Sequence, residues 1–114
     1  MSDIAAPALG ALRDRVQLQR RDMGSEDEGG AVTTFVPIAT LWARVRELSS
    51  RQAQWGDARA SNISHSVVLR YRTDVSPGDR FVHLGRNLEV VSADDLNGAR
   101  AYLSCACIET TVTG

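Results

Sequence analysis

"SVVLRYRTDVSPGDRFVHLGRNLEVV", residues 66–91, is the stretch that decides how this chain folds. It opens with Val67, Leu69 and Tyr71 on one face of an alternating segment, which is the period-two pattern of a half-buried strand. Ser-Pro-Gly-Asp follows, in which proline suits the second position of a turn and glycine accepts a positive φ angle. RFVHLGRNLEVV then predicts a hairpin with residues 85–87 at its tip. The stretch therefore predicts three strands joined by two turns.

Strand patterns also flank this unit on both sides. In RVQLQRR, Val16 and Leu18 point one way and the glutamines the other, which predicts a half-buried strand. AVTTFVPIATLWARVREL regains strand character after an acidic, glycine-rich loop, and Pro37 marks an edge, a bulge or a bend because proline cannot donate to a sheet. About six short strands with turns between them predict a small sandwich or barrel. We predict a mainly β fold, a small β-barrel of about six antiparallel strands, since closure hides sheet edges.

Length and charge restrict the function classes. With 114 residues the chain fits one domain, 1–114, and its 43% apolar and 24% charged residues are ordinary globular values. A net charge of −1 argues against a dedicated nucleic-acid binder, which needs a basic surplus, although DNA could still pass such a protein. The N-terminus shows no secretory leader, and no segment approaches the roughly 20 apolar residues that cross a bilayer. We therefore expect synthesis in the cytoplasm and no membrane partner.

Two appendages interrupt the strand pattern. Residues 1–13 are small and apolar, then charged, and predict an N-terminal arm that reaches a neighbouring subunit or a frayed terminus. Residues 47–64 form a long polar internal loop, in which a serine could cap one short helix. Trp55 stands alone in this polar run and suits either a lid packed on the barrel or an anchor in a partner's pocket.

The histidines and cysteines of this chain lack the spacing that metal binding or catalysis requires. His65 and His83 have no Cys, Asp or Glu beside them at ligand spacing, and we expect them on the surface or lining the barrel. Cys105 and Cys107 share one face of a strand, where the spacing is poor for a disulfide and two thiols are too few for a zinc site. We predict buried core thiols, no catalytic residue, no metal and no cofactor, and hence no enzyme.

An ordered set of short motifs resembles the head–tail joining proteins of tailed phages, also called head-closure or stopper proteins. The set consists of an early R-V-x-L-Q strand, a W-A strand, a variable insertion, a V-x-L-R-Y strand, a P-G-D-R turn and a G-R hairpin. In this chain these motifs are residues 15–19, 42–43, 49–64, 67–71, 77–80 and 85–86. The resemblance spans roughly residues 12–109.

The resemblance implies a small β-barrel whose copies form a sixfold or twelvefold ring. The ring lies beneath the portal and its adaptor ring, retains packaged DNA and docks the tail terminator or tail tube. Double-stranded DNA passes through its channel without sequence-specific binding. In some members the internal loop projects into that channel. Carried onto this chain, the loop is residues 47–64, and its candidate partner-interface and channel residues are Arg51, Gln54, Trp55, Asp57 and Arg59.

The same resemblance places the protein in a virion or phage-like particle, of a phage, a prophage or a gene transfer agent. A ring needs two complementary faces on each copy. Arg44 and Arg46, with Arg51 and Arg59, could supply one such face against the acidic run at residues 26–28, or all of these could be ordinary surface charges.

Two other functions compete with the head-closure role. The chain could be a tail terminator or another tail or baseplate ring subunit with a similar small barrel, which a different partner ring would reveal. It could also be an enzyme or a small-ligand module, which would require a deep apolar pocket with converging polar groups.

Overall fold

The computed structural model describes residues 11–23, 33–49 and 63–110 and shows six strands closed into one barrel. The strands are β1 (Asp14–Met23), β2 (Thr33–Glu47), β3 (His65–Arg70), β4 (Arg80–His83), β5 (Arg86–Asp95) and β6 (Tyr102–Thr110). Every neighbouring pair is antiparallel in the order β1-β2-β3-β6-β5-β4, which confirms the predicted barrel.

The described residues include one short 3-10 helix, Leu96–Gly98, between β5 and β6, and no α-helix. Within the same residues no helix has the length and hydrophobicity to cross a bilayer. The short helix predicted for the internal loop lies outside the residues that the structure describes.

Alternating apolar side chains fill the interior of the barrel, as the period-two patterns predict. Val16 and Leu18 of β1 are buried, while the glutamines between and after them lie on the outer face. The largest fully buried side chain is Phe81 of β4. The remaining core consists of Ala43, Val67, Leu69, Val75, Leu88, Val90, Leu103, Cys105 and Cys107. Each strand therefore contributes at least one side chain to a single core.

Pro37 lies at a β-bulge within one continuous strand. Leu18 pairs with Ala39 and Gln19 pairs with Pro37, so Ile38 has no partner across the ladder. The extra residue lets a proline occupy a long strand without a break, because a bulge interrupts the regular ladder that proline cannot join. Of the three alternatives that the sequence left open, the structure has the bulge.

The prediction for the tip of the β4–β5 hairpin is wrong by one residue. His83 pairs directly with Arg86, so the turn consists of Leu84 and Gly85 rather than residues 85–87. Their φ angles of 51° and 78° are the two successive positive values of a type I′ turn. Leucine rarely adopts this conformation, and the sequence pattern therefore placed the tip on glycine and the residues after it.

Cys105 and Cys107 are free thiols on the inner face of β6, as predicted. Burial raises the pKa of the Cys105 thiol to about 12, and burial also raises the pKa of Cys107. A thiol reacts as its thiolate, so both side chains are chemically protected in the folded protein.

We expect a disulfide reagent at pH 8 to label these two cysteines about a thousandfold more slowly in the folded protein than in the denatured one. The release of chromophore over time measures the rate, and the same reaction in concentrated denaturant is the control. Rapid labelling of either cysteine without denaturant would contradict the buried position.

Candidate interaction surfaces

The five predicted loop residues Arg51, Gln54, Trp55, Asp57 and Arg59 lie outside the described part of the chain. The structure does define the base from which their segment starts. Leu48 N donates to Ser64 O at 2.8 Å, and Glu47 pairs with His65 at the end of the β2–β3 ladder. The chain thus leaves the barrel and returns to it at adjacent points of one mouth.

His65 is held in this mouth by a hydrogen-bond network. Ser64 Oγ accepts a hydrogen bond from Glu109 N at 2.8 Å and lies 2.8 Å from His65 Nδ1. Ser64 Oγ therefore links the Glu109 amide to the His65 ring. His65 is only 4% exposed, so the ring and the serine together fix the first residue of β3.

The mouth itself is a cavity of about 360 Å³. It is lined by Val45, Glu47, His65, His83, Leu84, Arg86 and Leu88. His83 Nδ1 lies 3.2 Å from Arg15 O, and Arg86 Nε lies 3.7 Å from Glu109 Oε2. The described residues contain no group of three potential metal ligands. Both histidines thus line the barrel mouth and bond to neighbouring protein groups.

The P-G-D-R turn anchors β1 through the buried carboxylate of Asp79, which is 5% exposed. Asp79 Oδ1 accepts from Arg21 N at 3.0 Å, and Asp79 Oδ2 accepts from Ser76 N at 2.9 Å. Gly78, at φ 97°, lies so close to the Arg21 guanidinium that a Cβ there would be 2.9 Å from Cζ. The sequence identified this motif as a turn but gave no sign that it clamps a strand far away in the chain.

Beyond this clamp, β1 and β2 continue as a two-stranded ribbon. β4 pairs with β1 only from Gln17 to Gln19, whereas β2 follows β1 up to Met23. Arg80 supports the ribbon from β4, because its Nε donates to Gln19 Oε1 at 2.6 Å and its guanidinium lies 3.8 Å from the centre of the Phe35 ring. The ribbon is thereby attached firmly to the barrel wall.

Trp42 projects from the outer wall and is 52% exposed, which is unusual for a tryptophan. The Arg15 guanidinium stacks on its ring at 4.5 Å from the centroid. Leu12, Arg13 and Arg70 join Trp42 around an open cavity of about 460 Å³. Tryptophan and arginine are the residues most enriched at the centres of protein interfaces, so this surface has the composition of a docking site.

Leu84, at the tip of the β4–β5 hairpin, is 86% exposed. It combines a strained φ angle with an unburied hydrophobic side chain, two features that do not stabilise the isolated barrel. Such a residue suits a contact with another molecule.

We expect Leu84→Asn to stabilise the isolated protein by about 1 kcal/mol, because Asn-Gly is the preferred type I′ pair and little buried surface is lost. Urea unfolding measures the change. Leu84→Ala, which keeps the strained backbone without a preferred residue, is the matched control and should leave the stability nearly unchanged. If Leu84→Asn lost as much stability as Leu84→Ala, or more, the result would show that Leu84 packs within the monomer.

A small closed barrel with an aromatic–arginine face, an exposed hydrophobic hairpin tip and a loop base at one mouth defines a structural module for assembly. The chain belongs to the phage head completion protein family, whose sequence profile matches residues 8–110. This confirms the predicted family, and it makes the protein a structural component of a phage or phage-like virion and not an enzyme.

Solved structures show the same barrel. A solution structure of protein SF1141 from Shigella flexneri 2a superposes with a TM-score of 0.69 at 29% identity, over 89% of this chain and 95% of that one. A chain from the virion of a native gene transfer agent particle superposes with a TM-score of 0.63 at 19% identity, over 89% of this chain and 97% of that one. The second likeness, at that identity, is a likeness of fold. Comparison with curated proteins finds no match.

Proposed function

We propose that this protein is the head-closure, or stopper, subunit of its particle. Its copies form a sixfold or twelvefold ring beneath the portal and adaptor ring, retain packaged DNA and offer a docking surface to the tail terminator or tail tube. The family match across residues 8–110 is the observation that carries this proposal, since it assigns the chain to head completion. In this proposal residues 1–114 are one domain, with an N-terminal arm at 1–13 and an internal loop at 47–64.

The position of the loop base supports a role for that loop in the channel. Leu48 N donates to Ser64 O at 2.8 Å, so the two ends of this loop meet at one mouth of the barrel. Arg51, Gln54, Trp55, Asp57 and Arg59 are the residues we propose for contact with the channel or a partner ring.

Overall charge supports the passage of DNA. A strongly basic lumen would bind phosphates tightly and in a salt-dependent way, because each neutralised phosphate releases counterions. A chain with a net charge of −1 gives the whole ring little tendency to retain DNA by charge alone. DNA can then move through the ring when the tail opens.

The first experiment is a mass measurement in solution, on the protein alone and after mixing with the purified portal–adaptor complex of the same particle. We expect a monomer alone and a ring of copies on the complex. A protein that ignores this complex but joins a tail-tube or baseplate ring would support the alternative of a tail terminator or tail subunit. A stable free oligomer that binds neither would overturn both.

A loop replacement tests DNA retention. We expect a short Gly/Ser linker in place of residues 51–60 to leave the barrel folded and able to join the portal–adaptor complex, because the loop base is closed by barrel residues. Heads completed with this variant should lose DNA, measured as nuclease-sensitive DNA. The same replacement of residues 25–29 is the control. Full retention by the 51–60 variant would contradict the proposed channel role.

A further inference from the structure

The outer surface of the barrel is divided by charge. Where β1, β2 and β3 lie side by side, the outward residues include several arginines, which with Trp42 we call the basic wall. These arginines are Arg15, Arg44, Arg46 and Arg70. The carboxylates of this part of the barrel, Asp14 and Glu47, lie on the opposite side of their strands, paired with Ala43 and His65. The basic wall therefore carries its charge without a carboxylate at the neighbouring outward positions.

The arginines of the basic wall are available to a partner. Arg46 and Arg70 are exposed, and neither forms an ion pair within the described part of the chain. The Arg15 guanidinium lies over the Trp42 ring, and both side chains remain exposed. Exposed arginines around a tryptophan are suited to bidentate contacts with carboxylates.

β5 and β6 present the opposite charge. Their outward residues pair across the ladder as Glu89 with Ile108, Ser92 with Ala106 and Asp94 with Ser104. We call this surface the acidic wall, because Glu89 and Asp94 are exposed and its other members are uncharged. Arg80 lies directly across from Glu89 on β4, but its guanidinium is turned toward Gln19 and Phe35 and forms no ion pair with it.

The central strands of the two walls, β2 and β5, lie on opposite sides of the barrel, and the walls adjoin where β3 pairs with β6. In the closed order, β5 is separated from β2 by two strands in either direction. A heterologous ring needs two different, complementary patches on different sides of each subunit, because each copy contacts one neighbour with one patch and the next neighbour with the other. The charge division of this barrel fits that requirement.

We propose that the basic wall of one copy docks on the acidic wall of the next copy, with Trp42 at the centre of the contact and Ile108 and Ala106 as its apolar counterpart. This inference rests on the ring function proposed above and adds the two faces that form the ring. The partner is a second copy of this chain, because the same barrel carries both the charge pattern and its complement.

The proposal is tested with two charge-reversed variants, each measured alone and in an equal mixture with the other. One variant carries Arg46→Glu and Arg70→Glu, which cancels the net charge of its basic wall because Arg15 and Arg44 remain. The other carries Glu89→Arg and Asp94→Arg, so both of its walls are basic. All four positions are exposed, and the far-UV circular dichroism and thermal unfolding of each variant establish that it is folded. Ring formation on the purified portal–adaptor complex is measured by mass.

We expect each variant alone to form rings with a yield lower by at least about tenfold, because the first variant loses the attraction between its walls and the second places basic walls against each other. An equal mixture should form more rings than either variant alone, because every second contact in an alternating ring then joins an acidic wall to a basic wall. The control variant, Arg20→Glu with Arg21→Glu, makes the same change in net charge as the first variant at exposed positions of the β1–β2 ribbon, outside both walls, and should assemble normally.

Other outcomes separate the proposals. If wild-type protein forms no ring on the complex, the ring function fails, and this inference fails with it. If wild-type forms rings and both reversal variants do so equally well, only the assigned faces are wrong. If the Arg46 and Arg70 variant forms normal rings but its heads release DNA, the basic wall contacts DNA in the channel and the contact between copies is overturned.

Discussion

Phe81→Ala is expected to destabilise the barrel by about 3–5 kcal/mol, a large part of the roughly 5–15 kcal/mol that holds a domain of this kind folded. Phe81 is 0% exposed and is the largest of the fully buried side chains, so its removal leaves a cavity that the closed sheet cannot collapse to fill. Urea unfolding, followed by the circular dichroism of the strands, measures the loss.

Val82→Ala is the matched control for this prediction. Val82 is the next residue on the same strand, faces outward and is half-buried, so its truncation should cost no more than about 1 kcal/mol. Equal effects of the two substitutions would contradict the inward position of Phe81. A Phe81 variant that is too unstable to purify would be compared as Phe81→Leu, for which a smaller loss in the same direction is expected.

Asp79→Ala is expected to cost about 3 kcal/mol, because the substitution leaves the amides of Arg21 and Ser76 without the carboxylate oxygens that accept from them. Asp79→Asn should cost about half as much, since an amide side chain has one accepting oxygen in place of two. The free energy of unfolding, measured in urea, should therefore fall in the order aspartate, asparagine, alanine at position 79. This order is expected if both carboxylate oxygens accept hydrogen bonds.

Asp22→Ala supplies the control for this series. Asp22 is exposed on the ribbon, and its loss should change the stability by no more than about 0.5 kcal/mol. If the Asp79→Asn variant is as stable as the wild-type protein, the hydrogen bonds of the two amides do not require both carboxylate oxygens. Hydrogen exchange at the Arg21 amide gives an independent readout, because that amide should exchange faster in each Asp79 variant.

Together these residues connect the fold to the assembly. Asp79 fixes the point at which the β1–β2 ribbon leaves the barrel, and Arg80 beside it secures the ribbon through Gln19 and Phe35. In the ring that we propose, a rigid barrel gives each copy the same geometry, and Trp42 and Leu84 are exposed on its surface. In this protein the motif that resembles a simple turn therefore orients a part that reaches beyond the barrel.

The sequence alone determined the strand content, the inward faces and the family. Alternation is a local property, since successive side chains of a strand point to opposite faces, so Val16, Leu18, Val67 and Leu69 could be assigned to the core without knowledge of their partners. The two cysteines followed from the same rule. The ordered motifs from residue 15 onward predicted the family because each is a short local pattern that can be recognised without the fold, and the family match confirms it.

Only the tertiary structure decided which distant residues meet. Closure of the barrel brings Asp79 to Arg21, 58 positions away in sequence, and Ser64 to Glu109, and neither contact leaves a local pattern in the chain. The strained turn at Leu84 was missed because local preference disfavours leucine there. The opposed charges of the two walls likewise arise from strand order, since residues scattered along the sequence become one surface only when antiparallel pairing sets their register.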